Sequence, residues 1–411
     1  MESRFTSEFF AGNRRRLREL FTGTAPIVLT ANGLLQRGGD STYAFAQDAG
    51  FWYLTGIDEP DIVLVMDRDK EYLIVPGRSH IREAFDGTIN TDRLSRRSGI
   101  TTVYDDQAGW EQIAKRLKRV KHVATLAVPP AYVERYGLYV NPARGALVQR
   151  LKTYNEALEL LDISAHLSRL RMIKQAPEVD AIQAAIDITI SSIKAATKPS
   201  KLRGYAYEYE LEAELSRDFR RRGAEGHAFE PIVAGGERAC MLHNVANNGA
   251  LAADELIVID VGAEVEHYAA DITRTIGLGK TSRRQQTVHA AVLDVQQFAF
   301  NLLKPGVLIK EYEQQVEHYM GEKLRELGLI KTITHEAVRE FYPHATSHFL
   351  GLNVHDIGDY ERPLEPGVVM TVEPGIYIPA EGIGVRIEDD VLITDHGIKI
   401  LTDKLSRQLA A

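Results

Sequence analysis

The sequence predicts an α/β domain at the N-terminal end, followed by an α+β domain in which one arrangement of helices and paired strands occurs twice. Short β-branched runs alternate with helical stretches up to about residue 150, and a long amphipathic stretch follows them. Beyond it, two series of helices each lead into paired strands. Alternating and segregated elements are typical of different layered architectures. We therefore expect two domains, residues 1–168 and residues 169–411.

The first domain should contain several short strands, because β-branched runs bounded by Gly, Pro and Asp are the usual strand pattern. These runs are APIVLTANG, DIVLVMDRD, EYLIVPGR, ITTVYDD and KHVATLAVPP. The stretch WEQIAKRLKRV, which lies between the last two, is expected to be a helix. Strands that alternate with helices in this way indicate a compact α/β fold.

The segment ALVQRLKTYNEALELLDISAHLSRLRMIK is charged and amphipathic, so we expect a helical region that bridges the two domains. The next helix should begin near Pro177, because the first helical turn leaves unpaired the N–H that proline lacks. Glu178 favours the same start through the helix dipole. The domain boundary is therefore expected near residues 165–176.

The second domain should contain two blocks of helices, each followed by strands. The helices are expected at YAYEYELEAELSRDFRRRG, RQQTVHAAVLDVQQFAFNLL and IKEYEQQVEHYMGEKLRELG. The strands are expected at DELIVIDVGAEVEHYAADITRTIGLG after the first block, and at GVVMTVEPGIYI and GVRIEDDVLIT after the second. This order predicts an internally duplicated α+β domain.

Composition restricts the class of protein. The net charge of -8 argues against a nucleic-acid binder, which needs a basic surface to neutralise phosphates. The single cysteine, Cys240, allows no intrachain disulfide and fits a reducing compartment. We find no apolar run of 18 residues and no signal-peptide pattern, so we expect a cytoplasmic protein without a membrane partner.

Four acidic residues lie in strand-like segments: Asp260 within an apolar run, Asp271 at the start of the next strand, Glu373 at the end of an apolar strand, and Glu388. Charge in such a place is costly unless it is paired or bound to a cation. Asp260 and Asp271 have the spacing of two antiparallel strands joined by a hairpin around EVEH, with both side chains on one face. In GVRIEDDVLIT, the two-residue period places Glu388 on one face with its neighbours Arg386 and Asp390.

Several carboxylates can share a buried face only when they are protonated or neutralised. Two divalent cations would neutralise them, and bridging carboxylates hold such ions about 3.5–4 Å apart. Together with one imidazole, these oxygens suit Mn²⁺, Fe²⁺, Co²⁺ or Zn²⁺ in a hydrolase better than a thiolate-type structural zinc site.

The stretch PHATSHFLGLNVHD supplies His344, His348 and His355. It lacks the glutamate of H-E-x-x-H, which excludes the zincin pattern. The simpler interpretations stay open at this point. His344 and His348 have the spacing of one helix face, Glu388 could merely pair with Arg386, and Asp389 or Asp390 could occupy a solvent position.

The ordered motifs VIDVGAE, ADITRT, SHFLGLNVHD, TVEPGIY and VRIEDD resemble the dinuclear metallopeptidases of the pita-bread fold. The stretch STYAFAQDAGFWYLTGIDEPDIVLVMD looks like the N-terminal domain of aminopeptidase P, and FEPIVAGGERACMLHN resembles the family's segment before the first metal-bearing strand. The resemblance covers nearly the whole chain. It implies a creatinase/aminopeptidase P-like domain followed by a catalytic pita-bread domain.

The resemblance implies five metal ligands: Asp260, Asp271, His348, Glu373 and Glu388. Asp271 and Glu388 would bridge two ions, most often Mn²⁺ in this family and otherwise Co²⁺, Zn²⁺ or Fe²⁺. A hydroxide that bridges the two ions would be the nucleophile, and Glu373 would also accept a proton from the attacking water.

The resemblance also assigns substrate and supporting roles. His243 and His355 would hold the substrate carbonyl and stabilise the tetrahedral intermediate. His344 would lie near the pocket for the proline, and Arg386 would orient the bridging carboxylates. The chain departs from the family at Asn244, where an aromatic residue is common, so the wall of the substrate pocket is expected to differ. Phe85 aligns with an N-domain aromatic that approaches the active site.

The implied function is an Xaa-Pro aminopeptidase, which hydrolyses the bond between an N-terminal residue and a following proline. A prolidase restricted to Xaa-Pro dipeptides has the same ligands and is the alternative. A non-catalytic peptide-binding protein, or a metal-free hydrolase of creatinase type, ranks last because all five ligands are present. By analogy the chain is expected to form a dimer or tetramer.

Overall fold

The computed structural model describes residues 3–68, 70–127, 133 and 136–409, and it divides into two compact units, Met1–Leu170 and Arg171–Ala411. Helices of the first unit are α1 (Ser7–Leu20), α2 (Ala49–Thr55), α3 (His80–Asp86), α4 (Thr91–Ser98), α5 (Asp106–Leu117), α6 (Ala143–Tyr154) and α7 (Ser164–Met172), within which the unit boundary falls. Its strands are β1 (Ile27–Thr30), β2 (Gln36–Gly38), β3 (Ser41–Thr42), β4 (Val63–Asp67), β5 (Lys70–Val75), β6 (Val103–Asp105), β7 (His122–Thr125) and β8 (Glu159–Asp162).

Within the described residues of this unit, one mixed sheet of six strands has the order β6-β5-β4-β1-β7-β8. The strands β1, β4 and β5 pair antiparallel, whereas β6, β7 and β8 join in parallel. All five predicted strand runs contribute to it, although residues 128–130 of the last run lie outside the described part. The predicted alternation of strands and helices is therefore confirmed.

Helix α5 shows why the predicted helix forms. Asp105 lies at its N-cap, and its carboxylate accepts a hydrogen bond from the N–H of Ala108 at 2.8 Å, which pairs one free donor of the first turn. Trp110, Ile113 and Leu117 follow at helical spacing and pack in one cluster with residues of the sheet. The apolar face of the helix thus covers the sheet.

The prediction of a continuous helical region before residue 174 is wrong in its middle. Strand β8 separates α6 from α7 and pairs in parallel with β7, His122 opposite Glu159 and Thr125 opposite Asp162. The residues of β8 have helix-forming side chains, but the free edge of β7 offers backbone partners that an isolated helix would not use. Tertiary pairing therefore overrides the local propensity.

Helices of the second unit are α8 (Ala176–Ala196), α9 (Pro199–Leu202), α10 (Glu208–Arg221), α11 (Arg283–Leu302), α12 (Ile309–Glu326) and α13 (His335–Phe341). Its strands are β9 (Gly226–His227), β10 (Ile232–Gly235), β11 (Leu256–Val261), β12 (Ala263–Val265), β13 (Tyr268–Ala269), β14 (Ile272–Gly277), β15 (Val369–Val372), β16 (Gly375–Ile378), β17 (Ile383–Arg386), β18 (Asp389–Thr394) and β19 (Gly397–Ile400). Helix α8 begins beside Pro177 as predicted, and the Glu178 carboxylate accepts from the N–H of Gln175 at 2.9 Å.

The duplicated arrangement is confirmed. After α8 and α10 the strands form the antiparallel sheet β10-β11-β14, and after α11 and α12 they form the antiparallel sheet β15-β18-β19. Short sheets accompany each, β13-β12-β9 with the first and β16-β17 with the second. A large apolar core lies between α11, α12 and the strands of the second sheet.

No helix in the described part of the chain combines the length and the apolar character needed to cross a membrane.

Candidate metal centre

The second unit brings the predicted acidic residues and one histidine together. Asp271, His348 and Glu388 each offer one ligand atom, and these atoms all lie within 4.8 Å of one another. The Nε2 atom of His348 is 3.2 Å from Oε1 of Glu373 and 3.5 Å from Oδ2 of Asp271. Asp260 lies on β11, which pairs with β14, the strand that follows Asp271. Residues from distant parts of the sequence thus form one buried cluster.

Strand pairing places the two aspartates side by side. β11 and β14 are antiparallel, with Asp260 opposite Thr273 and Val261 opposite Ile272, so Asp271 immediately precedes the paired segment. The predicted antiparallel pair is therefore confirmed. The connection is longer than a simple hairpin, because β12 and β13 form their own pair, whose turn at Glu266 and His267 has positive φ angles.

Glu373 and Glu388 come from the second half of the unit. Glu373 follows the end of β15, and its N–H donates to the carbonyl of Thr346 at 2.8 Å. Glu388 lies between β17 and β18. Its N–H donates to the carbonyl of Thr273 at 3.1 Å, and its Oε2 accepts from the Thr273 hydroxyl at 2.7 Å. The two halves of the duplicated fold thus meet at the cluster.

His348 lies in an irregular segment after α13, so the alternative of a helix face with His344 is wrong. Its N–H faces the Thr371 hydroxyl at 3.2 Å, and its Nδ1 lies 3.1 Å from the carbonyl of Phe349. A carbonyl beside Nδ1 requires the proton on that nitrogen. The other nitrogen, Nε2, is the one that faces the carboxylates, and it is free to act as a ligand.

Burial and the short distances between charged groups shift the pKa values of the residues in the cluster. Burial raises the pKa of Asp271 to about 7, and burial together with the neighbouring carboxylates raises the pKa of Glu388 well above its usual range. Burial by itself lowers the pKa of His348, but its bonds to Asp271 and Glu373 outweigh that effect and raise the pKa. Burial likewise opposes ionisation of Glu373, yet His348 lowers its pKa to about 2.

These residues fit divalent cations. Oδ1 of Asp260 is buried and has no hydrogen-bond partner among the described residues, which is costly for a carboxylate oxygen unless a cation binds it. The donor set consists of four carboxylates and one imidazole, the combination that suits Mn²⁺, Fe²⁺, Co²⁺ or Zn²⁺. The raised pKa values of Asp271 and Glu388 have the same origin, an excess of negative charge in a buried place.

Arg386 pairs with Asp260. Its Nη2 lies 2.6 Å from Oδ2 of Asp260, and its Nη1 donates to the hydroxyl of Tyr377 at 3.0 Å. Its Nε lies 3.3 Å from the hydroxyl of Thr273, which in turn donates to Glu388. Among the described residues Arg386 therefore forms its ion pair with Asp260, and the Thr273 hydroxyl joins it to Glu388.

Tyr377 is a site residue that the sequence reasoning missed. Its hydroxyl joins Arg386 to His344, whose Nε2 lies 2.8 Å away, and the Nδ1 of His344 is 3.8 Å from Glu373. The only signal was the position of Tyr377 in the run TVEPGIYI, shortly after a proline, and such a tyrosine is ordinarily interpreted as a core residue. The hydrogen bonds of its hydroxyl depend on His344 and Arg386, which belong to other segments of the chain.

The His355 ring is tilted by 54° to the ring of His348, with centroids 4.2 Å apart, and burial together with the charge of His348 lowers the pKa of His355 to about 4. His355 is therefore neutral at neutral pH. His243 lies in the exposed loop that follows Cys240 and is near enough to His355 to affect its pKa.

Asn244 does not line an open pocket. It is buried, and its amide lies 3.3 Å from both the Glu208 carboxylate and the carbonyl of Val233. The side chain of Asn244 therefore anchors the loop of His243 to α10 and β10, and the expected difference in the pocket wall stays a prediction. Phe85 lies on α3 of the first unit and is 85% exposed.

Asp389 and Asp390 are fully buried, so the alternative of a solvent position is wrong for both. Oδ2 of Asp390 accepts from the N–H of Asp271 at 3.2 Å, whereas Asp389 contacts arginines on a different side. The alternation predicted along GVRIEDDVLIT is thus confirmed.

Comparison with known proteins gives the same family over both parts of the chain. The sequence model of metallopeptidase family M24 matches residues 180–395, and that of the aminopeptidase P N-terminal domain matches residues 10–124. An Xaa-Pro aminopeptidase of Haemophilus influenzae is 34% identical over 99% of this chain and 97% of its own.

Solved structures of aminopeptidases also resemble the fold of this chain over nearly its whole length. The aminopeptidase PepP of Pseudomonas aeruginosa aligns with a TM-score of 0.85 and 30% identity, over 99% of this chain and 97% of its own. A zinc-substituted aminopeptidase P of Escherichia coli in complex with product aligns with a TM-score of 0.86 and 30% identity, over 98% of this chain and 96% of its own.

Proposed function

The chain belongs to metallopeptidase family M24 and carries the N-terminal domain of aminopeptidase P, and from this premise we propose that it is an Xaa-Pro aminopeptidase. It is a metal-dependent peptidase that, on this proposal, releases the N-terminal residue of peptides whose second residue is proline. The observation that carries the proposal is the buried cluster of Asp271, His348 and Glu388, with Asp260 and Glu373 beside it. The unit Arg171–Ala411 is then the catalytic domain.

Five residues would hold two divalent ions: Asp260, Asp271, His348, Glu373 and Glu388. When bound, such ions polarise the substrate carbonyl and lower the pKa of a water molecule, so that it becomes a nucleophile at neutral pH. Asp271, His348 and Glu388 would hold the ions from the centre of the cluster, because one ligand atom of each lies within 4.8 Å of the others. Manganese is the proposed ion, since four oxygen ligands and one nitrogen suit it.

The chain's own residues would position the substrate and move protons. Glu373 is proposed to accept a proton of the attacking water, because its carboxylate lies in the cluster, 3.2 Å from Nε2 of His348. His355 is neutral at neutral pH and can donate a hydrogen bond from its ring N–H to the oxygen on which negative charge develops. His243 is proposed to share that role.

His344 and Arg386 would support the site from one side. The Tyr377 hydroxyl joins the two side chains, and Arg386 holds Asp260 at 2.6 Å. This chain of hydrogen bonds would keep Asp260 oriented, and Nδ1 of His344 lies 3.8 Å from Oε2 of Glu373. His344 is proposed to line the pocket for the proline and the residue after it.

A peptide series tests the proposed function and separates it from a prolidase. Release of the first residue from Xaa-Pro-Yaa peptides of increasing length should be fast and depend on added Mn²⁺. The same peptides with alanine in place of proline should react much more slowly. Cleavage confined to Xaa-Pro dipeptides would identify a prolidase, and no cleavage of either class would leave a binding protein.

A matched pair of variants checks that the cluster performs the reaction. His348→Ala should abolish release of the first residue, whereas His318→Ala should not change it, because the His318 side chain is 68% exposed on α12. Equal activity of the two variants would exclude the proposed site. A cytoplasmic location and a dimer or tetramer are further proposals, the first supported by the single, unpaired Cys240.

A further inference from the structure

Asp389 follows the proposed ligand Glu388 directly and belongs to a different hydrogen-bond network. Its side chain is fully buried, and its carboxylate accepts hydrogen bonds from four side chains. Oδ1 accepts from Arg274 at 2.7 Å and from the hydroxyl of Thr402. Oδ2 accepts from Gln296 at 2.9 Å and from Nε of Arg407 at 2.6 Å. We call these five residues the Asp389 hub.

Gln296 connects the hub to the backbone beside two proposed ligands. Its amide Nε2 faces the carbonyl of Val372 at 3.0 Å, which precedes Glu373, and the carbonyl of Ile387 at 3.1 Å, which precedes Glu388. Gln296 lies on α11, so one buried side chain spans the two segments that carry these carboxylates. A shift of Gln296 would change the separation of Glu373 and Glu388.

Arg274 makes the second connection. Its Nη1 donates to the carbonyl of Glu388 and, at 2.9 Å, to that of Thr273, while its Nη2 holds Asp389. Thr273 lies opposite Asp260 in the strand pair of β11 and β14. Arg274 therefore ties the strand that follows Asp271 to the segment that carries Glu388, from the side away from the cluster.

Residues 401–409 supply further hydrogen-bond partners to the hub. Besides Thr402 and Arg407, the carbonyls of Leu405 and Ser406 accept from Arg274 at 3.0 and 2.9 Å. The Arg407 guanidinium lies 5.0 Å from the centre of the Phe300 ring, which fixes it on α11. Arg274 and Arg407 both pair with Asp389, so the hub carries a net charge of +1 beside the carboxylates of the metal cluster.

We propose that the Asp389 hub positions Glu373 and Glu388 for metal binding, so that residues 401–409, through Arg407, set the affinity of the metal centre. In the described part of the chain the side chains of Asp389 and Arg407 bond to hub residues and not to the carboxylates of the cluster, so both would act as positioning residues. Groups that orient metal ligands from outside commonly change metal affinity by about 10–100-fold when they are removed. The inference rests on the proposed function, because it requires that the cluster binds metal.

Arg407→Ala is the variant of choice, since the Arg407 side chain is 24% exposed and its loss leaves Arg274 to balance Asp389. Lys404→Ala is the matched control. It removes the same charge from the same segment, but the Lys404 ammonium pairs with Asp187, and both side chains are about half or more exposed. Protein stripped of metal with a chelator is titrated with MnCl₂ by calorimetry, and kcat and KM are then measured at saturating Mn²⁺.

We expect Arg407→Ala to weaken Mn²⁺ affinity about tenfold and to lower kcat with little change in KM, whereas Lys404→Ala matches the wild type. A purely structural hub would instead lower the unfolding temperature of Arg407→Ala and leave Mn²⁺ affinity unchanged, which would overturn the proposal. Thr402→Val removes a single bond to Asp389 without a change of charge. If Arg407→Ala does not fold, the same titration of Thr402→Val decides, and a Mn²⁺ affinity equal to that of the wild type would overturn the proposal.

The wild type separates this inference from the proposed function. If wild-type protein binds no Mn²⁺, the metal site itself is refuted. If wild-type protein binds Mn²⁺ and cleaves Xaa-Pro peptides while Arg407→Ala and Thr402→Val bind Mn²⁺ equally well, only the role of the hub is refuted.

Discussion

Removal of Arg386 should reveal how the protein balances the charge of Asp260. The guanidinium and the carboxylate are 5% and 11% exposed, and they lie 2.6 Å apart. The other oxygen of Asp260 has no partner among the described residues. Arg386→Ala would therefore leave a buried carboxylate without its cation and would also remove a donor from the Tyr377 hydroxyl.

The magnitude follows from this burial. Breaking a buried ion pair by removal of one partner costs about 3–5 kcal/mol, because the remaining charge stays uncompensated. An exposed pair contributes only about 0–1 kcal/mol. Arg284→Ala is a matched control in the same unit, since Arg284 pairs with Glu381 at 2.7 Å while both side chains are about one-third exposed. We expect a destabilisation of about 3 kcal/mol for Arg386→Ala and below about 1 kcal/mol for Arg284→Ala.

Urea unfolding in the presence of a chelator measures both free energies, and repetition with saturating Mn²⁺ adds the decisive comparison. A bound cation would take over the neutralisation of Asp260, so the cost of Arg386→Ala should decrease when Mn²⁺ is present. When Asp260→Asn is combined with Arg386→Ala, most of the destabilisation caused by Arg386→Ala should disappear, because no carboxylate then remains to be paired. An Arg386→Ala penalty no larger than that of Arg284→Ala would refute the reasoning.

Four other predictions follow from the site and from one ion pair. Chelation should abolish peptidase activity and Mn²⁺ should restore it, whereas full activity of a metal-free preparation, verified by elemental analysis, would exclude a metal mechanism. His348→Ala should lose bound metal as well as turnover, because Nε2 of His348 lies 3.5 Å from Asp271 and 3.2 Å from Glu373. Unchanged metal content would remove His348 from the ligand set. His355→Ala should keep its metal content and lower kcat, and an unchanged kcat would end its proposed catalytic role. Burial raises the pKa of Asp218, but hydrogen bonds from Arg222 and Arg221 outweigh that effect and lower it to about 2, so the Asp218 carboxylate should stabilise the fold at neutral pH and lose that contribution as the pH falls from about 4 to 2. Asp218→Asn should therefore unfold at a lower urea concentration at pH 7 and lose less stability in acid than the wild type. An acid-unfolding profile equal to that of the wild type would contradict this prediction.

The comparison of sequence with structure is most instructive where the two differ. The run NEALELLD has side chains that favour a helix, yet its last four residues, Glu159–Asp162, form β8 because β7 offers an open edge. Asn244 occupies a place where the family often has an aromatic residue, yet its amide bonds to Glu208 and Val233. In both cases the partner is remote in sequence, so local propensity and family analogy had no access to it.

The amino-acid sequence was sufficient to predict the alternation of strands and helices in the first domain, the duplicated arrangement in the second, and the acidic residues in or beside apolar strands. Those features are local, because period, charge and turn chemistry act within about ten residues. Three features became known from the packed chain alone: Nε2 of His348 faces the carboxylates, Tyr377 joins His344 to Arg386, and Gln296 bonds to carbonyls 76 and 91 positions away. Hydrogen bonds between segments depend on which backbone groups the packed strands leave unpaired, and that is settled when the two halves of the domain meet.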